Sequence, residues 1–268
     1  MRHRRSTARM RSLGVGTRPE HNHDSLPMLV RPYLNTPRTS NPITVTFTRE
    51  QASAFAKEVA DDFNPLHNID AKRFCVPGDL LFAMVLSRYG VTRHMRFVFS
   101  GMVTDETELV LPDEAPEIII NGANDKEYLR VEHTGENSRD ETLIDNLIKS
   151  YVTFSGHTFP HILIPLMQEQ NVMINPDRPM VMYESMLIDL ERLDMNSVQL
   201  QLDEDKTRLG VNGKRGNVCL AFNLTADGET VGRGEKHMLV SGLRPFEKEV
   251  VDQVIEEYNS RKQHYQAG

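Results

Sequence analysis

Long apolar runs are missing from this sequence. The longest reaches only from Leu80 to Leu86, whereas a helix needs about twenty apolar residues to cross a bilayer, so no membrane span is expected. Cysteine is scarce as well. Cys75 and Cys219 match no metal-ligand spacing and form no disulfide framework, which fits a reducing, cytoplasmic compartment. Cys75 reads as a small buried residue. Basic charge is missing from most of the chain: residues 1–40 hold eight Arg against Glu20 and Asp24, a net +6, so the rest carries −13 of the total of −7. An acidic body excludes general nucleic-acid binding, which needs a basic footprint. No Walker phosphate loop and no serine-centred elbow occurs. Gly210, Gly213 and Gly216 lie between strands and precede no helix, so they read as a turn and not a dinucleotide loop. His157 and His161 are four apart, but no zincin-type Glu or third ligand accompanies them and Pro160 interrupts the helix, so no metal is expected.

What is present begins after a segment without periodicity. Residues 1–42, rich in Arg, Ser, Thr, Pro and His and without an apolar signal core, read as a disordered basic N-terminal extension. Ile43 to Phe47 alternates as a strand does. Thr48 is placed to cap a helix with Gln51 at the capping-box position, and Ala52, Phe55, Ala56 and Val59 give that helix an apolar stripe. It delivers Asp62-Phe63-Asn64-Pro65-Leu66-His67. Pro65 fixes its own φ and pushes Asn64 towards an extended or turn geometry. A carboxylate and an imidazole are thereby held by a stiff turn, where they can share one water or one substrate proton. After Val76-Pro77-Gly78-Asp79 comes a helix apolar on every face, as a helix buried all round must be. Asp79, at its N-terminus, is expected to accept the free helix amides.

Short strands separated by Asp, Gly, Pro and Asn turns follow from Met95 to His133, giving an α+β pattern. The pattern recurs: a short amphipathic helix from Glu141 to Ser150, an apolar stretch opened by Ser155-Gly156-His157, then strands from Met180 to Val240 with hairpin turns at Asn212-Gly213 and Asp227-Gly228. Gly78-Asp79 and Gly156-His157 are expected to be equivalent positions in a tandem of units 43–138 and 139–245. Pro245 is placed to begin an amphipathic C-terminal helix, assigned to 246–268. Its apolar face (Phe246, Val250, Val251, Val254, Ile255, Tyr258) would dock on the body or on a partner subunit.

The run Asp62-x-Asn64-Pro65-Leu66-His67, followed by Asp70, Ala71 and Phe74 ahead of a Gly-led apolar helix, resembles the MaoC-like (R)-specific enoyl-CoA hydratases of the hotdog superfamily. The later half resembles a degenerate second hotdog unit, and the whole chain resembles a proteobacterial family of unknown function that carries this domain. The resemblance implies a double hotdog, two antiparallel sheets each wrapped around a central apolar helix, with a C-terminal helix added. It implies that Asp62 and His67 hold a catalytic water and that the Gly78 amide binds a thioester carbonyl. Asn64, Asp79 and His157 would lie at the substrate, a coenzyme A thioester or acyl carrier, with no cofactor and with a homodimer as one assembly. The reaction would be hydration of an enoyl thioester. The alternatives are a thioesterase using Asp79 or Asp62 as base, and a non-catalytic acyl-thioester-binding module. Two positions depart from the hydratase pattern: Asp61 stands where Gly is usual, and Pro77-Gly78-Asp79 where His, Gly and an apolar residue are usual. An Asp79 that caps the helix would occupy the expected oxyanion donors.

Overall fold

The computed structural model describes residues 29–35 and 42–267. In each half of the chain helices come first and a meander of strands follows. The first half comprises β1 (Ile43–Val45), α1 (Arg49–Ala54), α2 (Gly78–Tyr89), β2 (Val91–Phe99), β3 (Leu109–Leu111), β4 (Glu117–Gly122) and β5 (Glu127–Ser138). The second comprises α3 (Glu141–Gly156), α4 (Leu163–Glu169), β6 (Val172–Met173), β7 (Val181–Leu190), β8 (Gln199–Leu202), β9 (Arg208–Asn212), β10 (Arg215–Ala226), β11 (Glu229–Ser241) and β12 (Arg244–Pro245), and α5 (Lys248–Ala267) closes the described chain.

The architecture is the α+β double hotdog, with one difference from expectation. The two half-sheets are fused into one ten-stranded antiparallel sheet, in the order β1-β3-β4-β5-β2-β7-β11-β10-β8 with β9 also on β10. The seam is the β2–β7 ladder, from His94 opposite Asp189 to Val98 opposite Ser185. Helix α2 lies in the first half as its all-apolar sequence requires: Asp79 through Ser87 and Tyr89 are buried. Gly90 stops it at φ +86°, a conformation that favours glycine. Phe82, fully buried, packs its ring 5.2 Å from Phe97 and 4.6 Å from Tyr151 of α3, tying the two halves into one core. The second half-sheet is covered by two helices in succession. Inward residues Phe222 and Leu224 join the core of α2 and α3, while Val218, Leu220, Met238 and Val240 form a separate cluster with Leu163 and Met167 of α4.

Three expectations are corrected. Helix α3 does not stop at Ser150; its buried stripe runs through Tyr151, Val152 and Ser155. Gly156 therefore closes a helix instead of opening one, and it is not the counterpart of Gly78. Pro245 does not start α5: it pairs with Val172 in the small β6–β12 ladder, and the helix begins at Lys248. Finally, residues 29–35 belong to the body. Val30 and Leu34 are buried in the main core, the Tyr33 hydroxyl donates to Glu58 at 3.2 Å, and Asn35 bridges to Thr46. Residues 1–28 and 36–41, also read as extension, lie outside the described residues.

Candidate functional site

The Asp62 loop is built by the helix before it and gripped by a helix two hundred residues later. Thr48 and Gln51 form the capping box that starts α1. A wider turn over Phe55–Val59 then lets the Asp62 amide reach back to the Ala56 carbonyl at 2.8 Å. The chain reverses at Asp61, which takes φ +54°. That left-handed conformation costs an L-residue with a Cβ about 1–2 kcal/mol, least for Asp and Asn. The carboxylate is held by Lys262 of α5 and by His157, whose Nε2 lies 2.9 Å from Oδ2. Burial would raise the Asp61 pKa, but these two partners outweigh it and hold the carboxyl below its ordinary range. Tyr258 of α5 accepts from the Phe63 amide and donates to the Asp61 carbonyl, both at 3.4 Å, so its hydroxyl spans Asp62 from either side.

Asp62 and His67 face each other with Oδ2 and Nε2 3.7 Å apart. This is too long for a direct hydrogen bond and leaves both atoms able to hold one water. Asp62 Oδ1 accepts the Asn64 amide at 2.8 Å, and Asn64 Oδ1 accepts the Leu66 amide at 3.1 Å. His67 Nδ1 lies 2.7 Å from the Cys75 carbonyl. A carbonyl oxygen only accepts, so Nδ1 carries the hydrogen, and Nε2 is the ring atom that faces Asp62. Burial pushes the Asp62 pKa up and the nearby Asp79 charge adds to this, against the opposing pull of His67, the Asn64 amide and Lys236. The Cys75 thiol is pushed up to about 11 by burial.

Asp79 does not cap its helix. It is 7% exposed, and Oδ2 accepts the Ser155 hydroxyl of α3 at 2.6 Å. Behind Ser155 the Lys236 ammonium of β11, itself 6% exposed, donates to the same hydroxyl and lies 4.4 Å from the Tyr183 ring centre. Asp79 Oδ1 is buried and has no partner among the described residues. Among the described residues no hydrogen bond reaches the Gly78 or Asp79 amide. A Cβ at Gly78 would meet Tyr183 Cδ1 at 2.8 Å, so only glycine allows the helix end this close to that ring. Gly156 does the same service on the other side, since any Cβ there would collide with the Ala60 carbonyl and lie 3.4 Å from the Asp62 Cβ.

Of the six residues singled out from sequence, Asp62, His67, Gly78 and Asp79 converge. Asn64 uses its carboxamide oxygen to shape the turn. His157 is exposed, anchors Asp61, and with His161 lines an open cleft of about 890 Å³ between α3 and β8. That cleft does not include Asp62 or Gly78. Ser155, Lys236 and Tyr183 went unnoticed. Lys236 had a signal: in the alternation of β11 it is in phase with buried Met238 and Val240, and a lysine at an inward position calls for a partner. One further trio, Cys219, Glu235 and His237, brings three metal-ligating atoms together on the opposite face of the sheet. No described helix is long and apolar enough to cross a membrane.

A continuous antiparallel sheet around apolar helices is the double hotdog architecture. The chain belongs to the family described as Protein of unknown function (DUF3581), whose model matches residues 28–249. Among solved structures it is similar to the tesB protein of Mycobacterium avium subsp. paratuberculosis, at 8% identity over 81% of this chain and 99% of that one, with a TM-score of 0.44. It is also similar to an acyl-CoA thioesterase II of Mycobacterium marinum, at 9% identity over 82% and 99%, TM-score 0.38. A third is the N-terminal dehydratase of the difficidin assembly line, at 8% identity over 70% and 91%, TM-score 0.35. No curated protein matches the sequence.

Proposed function

We propose that the protein hydrates an enoyl thioester, carried on coenzyme A or an acyl carrier, in the manner of the MaoC-like hydratases. The observation that carries this reading is the Asp62/His67 pair at 3.7 Å, a spacing that lets both side chains hold one water. In the forward direction His67 Nε2 takes a proton from the shared water and the hydroxide adds to C3. Asp62, whose pKa burial raises, delivers its proton to C2 on the same face. The enolate oxygen formed in between accepts from the α2 amides, where the helix dipole favours negative charge. The His67 proton then returns to Asp62, so the enzyme ends as it began. The test is hydration of a panel of trans-2-enoyl-CoA thioesters, followed by loss of absorbance at the conjugated double bond. Turnover by the wild type that fails in Asp62→Asn and His67→Ala supports the reading; a wild type inert on every chain length defeats it.

A second reading has its own observation. The orphaned Asp79 Oδ1 is positioned to bind a water as general base, with Ser155 and Lys236 holding the carboxylate. This would make the protein a thioesterase, and hydrolysis of saturated acyl-CoA abolished by Asp79→Asn but retained in His67→Ala would favour it.

A further inference from the structure

The outer face of the β10–β11 ladder carries a cluster that the acyl-thioester reading does not use. Cys219 of β10 stands directly opposite His237 of β11, and Glu235 lies two residues along on the same face. The Cys219 sulfur, a Glu235 oxygen and a His237 nitrogen all lie within 4.8 Å of one another, with Glu235 Oε2 and His237 Nε2 3.0 Å apart. Around a tetrahedral ion with metal–sulfur bonds of about 2.3 Å and metal–nitrogen or –oxygen bonds of about 2.0–2.1 Å, neighbouring donors sit roughly 3.3–3.6 Å apart. The three atoms therefore need only side-chain adjustment to close on an ion.

The backbone supports that closure. Two of the donors are fixed by one in-register antiparallel pair. The register against β7 shifts at the His237/Met238 step, a bulge of the kind that re-aims a side chain. Across the ladders Glu235 has Ala221 on one side and Leu187 on the other, and His237 has Ser185 beside it on β7. Arg208 on β9 stands opposite Cys219, with its guanidinium drawn towards the Lys206 carbonyl at 3.1 Å. Cys219 is buried while the side chains of Glu235 and His237 are 42% and 37% exposed, so the cluster opens to solvent on one side only.

We propose that Cys219, Glu235 and His237 form a mononuclear site for a borderline divalent ion, Zn²⁺ before others, with three protein donors and one position open to water. Thiolate, imidazole and carboxylate are the donor set that zinc takes, and thiolate plus carboxylate balance its charge. The site also has a place in the larger structure. Glu235 and His237 flank Lys236, whose side chain points through the sheet to Ser155 and Asp79, so an ion there would pin the strand that supports the inner cluster.

The test uses the full-length, reduced, metal-free protein titrated with Co²⁺. A single equivalent should produce the intense visible bands of tetrahedral cobalt and a near-ultraviolet thiolate-to-cobalt band, both removed by Zn²⁺. Cys219→Ser should lose the near-ultraviolet band, His237→Ala and Glu235→Gln should weaken binding by about tenfold or more, equivalent to about 1.4 kcal/mol, and Cys75→Ser should behave as wild type. Absence of a thiolate band at millimolar Co²⁺, or a band that survives Cys219→Ser, overturns the proposal. If Cys219→Ser fails to fold, a band unchanged in His237→Ala overturns it equally. None of these readings depends on thioester turnover.

Discussion

The two halves of the sheet are covered differently. Over the first lies one unbroken helix, α2, buried along nearly its whole length, and the charge of its first-turn Asp79 acts on Asp62. Over the second the cover is divided between α3 and α4, and the end of α3 is spent on Ser155 and Gly156, which reach across to Asp79 and Ala60. The half that lacks the Asp-x-Asn-Pro-x-His motif is therefore not an idle copy. It supplies the hydroxyl, the ammonium and the aromatic ring that surround the carboxylate of the other half. The Asp62/His67 pair comes from one half and its electrostatic setting from both.

The sharpest way to separate these contributions is kinetic. With an enoyl-CoA substrate, Asp62→Asn and His67→Ala should each lower kcat by about 10²–10⁴-fold, and the double mutant should be little worse than either single, because the two act as one unit. Stability tests the other half. Lys236→Met should cost roughly 3–5 kcal/mol in urea denaturation, because it leaves the buried Asp79 charge uncompensated. Adding Asp79→Asn should recover most of that loss; additive losses would mean that the two charges do not act on one another. Phe82→Ala should cost a similar roughly 3–5 kcal/mol, and Met167→Ala, in the smaller cluster under α4, nearer 2 kcal/mol. Equal costs would erase the difference between the two covers.

Smaller effects probe the loop itself. Tyr258→Phe removes a hydroxyl whose two hydrogen bonds are long, so about 0.5–1 kcal/mol is expected, together with slower turnover as the Asp62 backbone loosens. The least effect is in the pH dependence of stability. Asp62 keeps its proton to higher pH folded than unfolded, so its contribution is full below the unfolded carboxylate range and is lost as pH rises through the folded value. Asp62→Asn cannot ionise. Its melting temperature should exceed that of wild type at about pH 8 and fall to parity towards about pH 4; a gap that widens on acidification would reverse the sign assigned to Asp62.

The strands were legible because each half-buried strand alternates, and the hairpin at Asp227-Gly228 because both residues take positive φ, as that turn requires. Thr48 and Gln51 announced α1 by their spacing, and α2 by having no polar face. The misreadings share a physical cause. Ser155-Gly156 has the composition of either helix end, and only the stripe continuing through Tyr151 and Val152 shows which one it is. Pro245 suits a first helical turn but equally suits a short edge strand, where its missing N–H is harmless. The turn from Asp62 to His67 could be read locally, since Asn64 and Pro65 build it from their own neighbours. What surrounds it could not, because Ser155, Lys236 and Tyr258 arrive from far along the chain.

That distance has a consequence for the order in which the protein is made. Phe63 and Glu58 meet Tyr258 and Tyr265 across 195 and 207 residues of sequence. At about 5–20 residues per second, a ribosome needs on the order of 10–40 s to travel from the Asp62 loop to the helix that clamps it. Throughout that interval β2 to β5 and α2 are available to fold while Asp61 has no Lys262 to hold its reversed backbone. The local bonds that shape the Asp62–His67 turn are available from the start, and the α5 contacts to Asp61 and Phe63 can be added only when the last helix has been made.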